Sequence, residues 1–227
     1  MDTKWEWFCG INSSYTVESL EFYGNVYNNT CLIDGLVTIP HTAFLLLASV
    51  VLLVVGCFTS YRRVHTKYLL VYPGHSLRWL VSVLLLIIIL ASIGEGIMTD
   101  ETYQAWKQPT QPHLYIHSIV AFVAVVISLV YYHHMELWQL PAMSVLLLVY
   151  WVFSLGNEVL RMLNLGLQED VDVHVVIFDL TLIKLAIYSV LIVLEMNVIR
   201  EKVNLLGFIH KYFFSLFQSS KNLTQKT

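Results

Sequence analysis

Charge is what this sequence has least of. Asp, Glu, Lys and Arg make up 13% of its 227 residues, against about 25% in an ordinary soluble domain. With 57% hydrophobic residues and a mean hydropathy of +0.65, that shortage places the chain among membrane proteins. A net charge of -3 and the lack of any Lys/Arg stripe exclude a nucleic-acid surface. No G-x-x-x-x-G-K-[ST] sequence occurs, so ATP has no phosphate-cradling loop. The first ten residues hold no apolar stretch of the kind a secretory signal needs, and internal helices are expected to direct insertion.

What is present is a set of five long apolar runs, at about residues 40–58, 77–98, 113–132, 141–163 and 173–196. The shortest, at about 1.5 Å per residue, still covers roughly the hydrocarbon thickness of a bilayer. The chain is organised around Tyr72-Pro73-Gly74-His75-Ser76-Leu77-Arg78-Trp79. There a Pro-Gly turn is followed by a cation and an amphipathic ring suited to a headgroup layer, and the second run begins. Pro40 and Pro141 open the first and fourth spans, where a missing N–H costs little. The predicted fold is an all-α, five-span bundle at 38–198, with a tail at 1–37 before it and a segment at 199–227 after it.

Orientation follows from the loop cations. One side holds Arg62, Arg63, Lys67, Arg78, Arg200, Lys202, Lys211, Lys221 and Lys226, the other only Lys4 and Lys107. The N-terminus is therefore expected outside and the C-terminus in the cytosol. Beyond Arg200, Asn204, Lys211, Ser215 and Gln218 share one helical stripe, and Leu206, Ile209, Phe213, Leu216 and Phe217 the opposite side. That pattern predicts an amphipathic helix lying on the inner leaflet. The outer tail carries sequons at Asn12 and Asn28, together with Cys9 and Cys31, which fits an oxidising compartment and favours a Cys9–Cys31 disulfide over free thiols.

Ionisable residues inside spans are costly and face protein or water. Glu158 and Arg161 lie three apart near the outer end of the fourth span and can pair on one face. Asp179, near the outer end of the fifth, offers Arg161 a second partner. Lys184 has no evident partner at its own depth and is read as meeting an acidic or carbonyl group on another subunit. The plainer alternative is that these groups hold the bundle together. His133-His134-x-Glu136 is one histidine box with no second to converge on it, so it reads as an interfacial loop and no metal site is assigned. No catalytic set can be nominated. Arg62, Arg63, Lys67 and Arg78 are candidates for anionic lipid headgroups, or are topology determinants alone.

Several segments, in order over about residues 8–200, resemble the N-terminal five-helix domain of the sulfonylurea receptors, in the multidrug-resistance-associated branch of ABC transporters. They are Phe8-Cys9-Gly10, Asn29-Thr30-Cys31 with Asp34, Pro40-His41, the Tyr72–Trp79 stretch and Glu95-Gly96-Ile97. His113-Leu114-Tyr115, Val130-Tyr131-Tyr132-His133, Leu147-Leu148-Val149-Tyr150-Trp151 and Glu195-Met196-Asn197-Val198-Ile199-Arg200 continue the match. The resemblance implies a non-catalytic accessory domain that packs against an inward-rectifier potassium channel subunit at the plasma membrane, reached through the endoplasmic reticulum, and shifts its gating and surface delivery. It further implies that Cys9 and Cys31 form the extracellular disulfide, that Asn12 carries a glycan, and that the first span faces the channel. Pro40, Phe44 and Ala48 are the corresponding interface candidates, beside Lys184, which is a candidate on its own chemistry and stands where the family looks apolar. No cofactor is expected beyond a bound phosphoinositide or other anionic lipid. Alternative readings are a truncated product of a full-length ABC transporter, or a small membrane carrier or enzyme using the buried charges.

Overall fold

The computed structural model describes residues 22–23, 26–27, 30–61, 75–105, 110–138, 141–166 and 176–200. A short antiparallel hairpin, β1 (Phe22–Tyr23) and β2 (Val26–Tyr27), precedes the bundle, with Phe22 opposite Tyr27. The helices are α1 (Thr30–Tyr61), α2 (His75–Ala105), α3 (His113–Trp138), α4 (Pro141–Gly166) and α5 (Val176–Arg200). All five contain a stretch long and apolar enough to cross a membrane. Helices satisfy their own backbone groups, which hydrocarbon cannot do. The hydroxyls follow suit: Thr38 donates to Asp34 O (2.8 Å), Ser92 to Ile88 O (3.1 Å) and Thr181 to Ile177 O (2.8 Å).

The helices outrun the apolar runs. α1 begins at Thr30, ten residues before the expected start at Pro40, so Pro40 lies inside the helix rather than in its first turn. A proline there leaves the carbonyl four residues back without its N–H donor. The Asn157 amide of α4 donates to that carbonyl, Leu36 O, at 3.1 Å. α2 runs on to Ala105, through residues expected to be loop. Buried Asp100 closes the connection there, accepting from Gln111 N (2.6 Å) and Gln104 Nε2 (2.9 Å).

Each helix buries a seam at spacings of three and four, the period that keeps one stripe facing its neighbours. On α1 this is Cys31, Asp34, Val37, His41, Phe44 and Ala48; on α5 it is Thr181, Lys184, Tyr188, Leu191, Glu195 and Val198. α3 packs against both α1 and α2, and α1 also packs on α4. Small residues let the backbones close: Ala48, Ala121, Ala124, Ser128 and Ser144 are buried in the seams. At Gly96 α2 and α3 approach closely: a Cβ there would lie 2.8 Å from Leu114 O. An aromatic layer fills the centre, with Phe44 stacked on Tyr150 (centroids 4.1 Å) and Trp151 against Tyr188 (5.9 Å).

Candidate functional site

Apart from Asp100, the buried charged residues of the helices form two groups. At the end shared by the starts of α1 and α3 and the end of α4, Asp34 lies 4.0 Å from Arg161 Nη2 and 3.9 Å from His113 Nε2. Arg161 Nη1 donates to His117 Nε2 at 2.6 Å. Since the His117 Nδ1 lies 3.2 Å from the His113 carbonyl, the ring is the Nδ1–H tautomer and accepts on its other nitrogen. Deeper in, Lys184 Nζ pairs with Glu158 Oε1 at 3.1 Å. His41 Nδ1 bonds the Tyr150 hydroxyl at 2.9 Å. From Arg161 to Tyr150 on α4, this polar column spans about 16 Å at roughly 1.5 Å per residue.

At the opposite end, the Arg78 guanidinium pairs with Glu195 and lies over the Tyr132 ring, 3.3 Å from its centroid. This ties the start of α2 to the ends of α5 and α3. Cation–π contact adds to the ion pair where both groups are withdrawn from water.

These pairings revise several expectations. Arg78 is 3% exposed and engaged inside the bundle, so it is not a headgroup ligand: the rotation of α2 turns it inward to meet Glu195. Lys184 is 3% exposed and finds its partner on α4 of the same chain, not on another subunit. Glu158 therefore pairs with Lys184 rather than with Arg161, and Arg161 turns to Asp34 and His117. Asp179 is exposed and stands outside this column, so the Arg161–Asp179 pair is not formed. Phe44 and Ala48, at 2% and 0% exposure, face the core and shape α1 packing, and Phe44 also lines a groove between α1 and α4. Pro40 is half-buried and accessible. Cys31 is disulfide-bonded, whereas Cys9, Asn12, Asn28, Arg62, Arg63, Lys67 and the segment after Arg200 lie outside the described residues.

Sequence reasoning gave no site role to Asp34, His41, His113, His117, Asn157 or Glu195, although Asp34, His41, His113 and Glu195 stand in the motifs that carry the family resemblance. Their signal was present as polar residues recurring at helical spacing along otherwise apolar seams. The other side of α1 exposes Leu36, Ile39, Leu46, Leu47, Val50 and Leu53, as the other helices expose apolar side chains on their outer faces. Beside it an apolar groove of about 390 Å³ runs between α1 and α4, lined by Ile39, Pro40, Ala43, Leu47, Phe153 and Asn157 among others.

Long apolar helices, internally matched charges and an outward apolar groove define a multi-pass helical membrane domain. The chain belongs to the ABC transporter TMD0 domain family, whose sequence model it matches over residues 18–179. It is 32% identical over 200 residues to ATP-binding cassette sub-family C member 8 of Homo sapiens, covering 86% of this chain and 12% of that protein. The proteins of the same name from Cricetus cricetus and Rattus norvegicus are 31% identical over the same extent. The relationship to the sulfonylurea receptors read from the motifs is thus borne out, over a small part of those receptors' length.

Proposed function

We propose that this chain acts as a non-catalytic accessory subunit, packing in the plane of the plasma membrane against an inward-rectifier potassium channel and changing its gating, its surface number or both. The observation that carries this reading is the outward face of α1 with the α1–α4 groove. It is a contiguous apolar surface on a helix whose opposite side is locked to α3 and α4. Family membership and 32% identity to a sulfonylurea receptor support the choice of partner. The contacts would come from Ile39, Leu46, Leu47, Val50 and Leu53, with Pro40 at the groove's rim. Small apolar groups and close packing drive helix association in lipid, where burial from water contributes nothing. Arg62, Arg63 and Lys67 would meet anionic headgroups on the cytosolic side.

The test is patch-clamp recording of inward-rectifier subunits, expressed one at a time with and without the chain, beside pull-down from the cell surface. The expected outcome is altered current and co-purification with one subunit, both weakened by Leu47→Trp or Val50→Trp on the outward face. Unchanged currents and no co-purification with any subunit would remove the proposal.

A further inference from the structure

Polar atoms orphaned inside a membrane bundle call for a partner, because no bulk water reaches them. Among the described residues, Trp151 Nε1, Glu158 Oε2 and Tyr188 Oη are buried without a hydrogen-bond partner. They belong to side chains 1%, 4% and 0% exposed, respectively. All three lie in the seam between α4 and α5. Trp151, Ser154 and Glu158 recur at spacings of three and four along α4, and so share a stripe. Lys184 and Tyr188, four apart, do the same on α5.

Two rungs mark the ends of this stretch of the seam. At one, Lys184 Nζ meets Glu158 Oε1 at 3.1 Å; at the other, the Trp151 and Tyr188 ring centroids are 5.9 Å apart. Ser154 is buried on α4 between them. Tyr188 stands one helical turn, about 6 Å, beyond Lys184 along α5. The orphans cannot all satisfy one another, since Trp151 and Glu158 are two helical turns, about 10 Å, apart along α4.

The chemistry of the set selects its ligand. Trp151 Nε1 only donates, Glu158 Oε2 only accepts, and the Tyr188 hydroxyl does both. The ligand must both donate and accept, and must be small. A cation is opposed by the Lys184 ammonium already facing Glu158, and an anion by the carboxylate itself. Water meets every condition, and buried waters commonly make about three hydrogen bonds to such groups.

We propose that the α4–α5 seam is a water-binding site. One molecule donates to Glu158 Oε2 and bonds the Tyr188 hydroxyl beside Ser154; a second, linked to it, accepts from the Trp151 indole N–H. The seam thereby adds Trp151 and Tyr188 to the polar column and hydrates the Lys184–Glu158 pair.

Solid-state NMR of the full chain in phospholipid bilayers, with 15N-labelled tryptophan, tests this by transfer of magnetisation from water. The Trp151 indole signal, one of six, is identified by its loss in Trp151→Phe. It is expected to receive magnetisation from water despite its depth. Tyr188→Phe should cut that transfer several-fold while the other indole positions stay fixed. Ser154→Ala should weaken it too, and carries the comparison if Tyr188→Phe shifts the whole indole spectrum. No transfer at Trp151 in the parent chain, or transfer unaltered by the variants, would overturn the proposal.

Discussion

Replacing Lys184 alone should unfold this bundle far more readily than replacing Lys184 and Glu158 together. The two side chains are 3% and 4% exposed, and their charged atoms are 3.1 Å apart. Lys184→Met removes the cation and leaves a carboxylate in a seam closed to bulk water. Breaking a buried pair from one side costs about 3–5 kcal/mol, whereas replacing both partners by groups of similar volume is often neutral or stabilising. The nearest other cation does not relieve the stranded carboxylate. Arg161 is held by His117 at 2.6 Å and faces Asp34 at 4.0 Å, so swinging toward Glu158 would give up those contacts. For a chain of this size, about 1 kcal/mol corresponds to a few degrees in Tm. Lys184→Met should therefore lower Tm by on the order of 10 °C, and adding Glu158→Gln should return most of the loss. Thermal unfolding of the full chain in lipid nanodiscs, followed by tryptophan fluorescence, measures both. If the two single losses simply add in the double variant, the pair contributes no coupling and the reasoning fails. The same variants bear on partnership, since a Lys184 that pairs within the chain affects channel binding only in proportion to the stability lost.

Two further outcomes come from the backbone. Gly96→Ala puts a Cβ 2.8 Å from Leu114 O and 3.0 Å from Tyr115 Cβ, forcing α2 from α3 at a cost of about 1–3 kcal/mol. Gly94→Ala, two residues away with nothing within 4 Å, should be neutral or slightly stabilising by helix propensity; equal effects of the two in the same unfolding assay would refute close packing at Gly96. Asn157→Leu removes the donor to Leu36 O and should cost about 1 kcal/mol. In a Pro40→Ala background the restored backbone N–H can serve that carbonyl, so the cost of Asn157→Leu should largely disappear; an unchanged cost would show that Asn157 acts by some other contact.

How much of this was legible in advance varies with the kind of interaction. The five spans were readable because hydropathy is summed along the chain and hydrocarbon enforces helices wherever it is high enough. Their ends were less so: α1 starts at Thr30 and α2 reaches Ala105, since a helix continues past the apolar run wherever other contacts satisfy it. Asp100 does this for α2 by binding Gln111 N. Gly96 was visible within a family motif, but its purpose appears only against Leu114.

By itself, then, the sequence determined the number of spans, their helical state, the family and the stripe each ionisable side chain shares. Spacings of three and four settle that much without any neighbour. The tertiary structure decided which way each stripe turns and which depths coincide. Arg78 has the composition of a headgroup anchor, yet meets Glu195 from the far end of the chain. Lys184 found Glu158 rather than a foreign subunit, and Phe44 and Ala48 turned to the core while Leu46 and Leu47 turned to lipid. Rotation about a helix axis is invisible to local spacing, because in hydrocarbon the apolar faces are nearly equivalent. Desolvated charge breaks that equivalence, and so the buried pairs orient the helices.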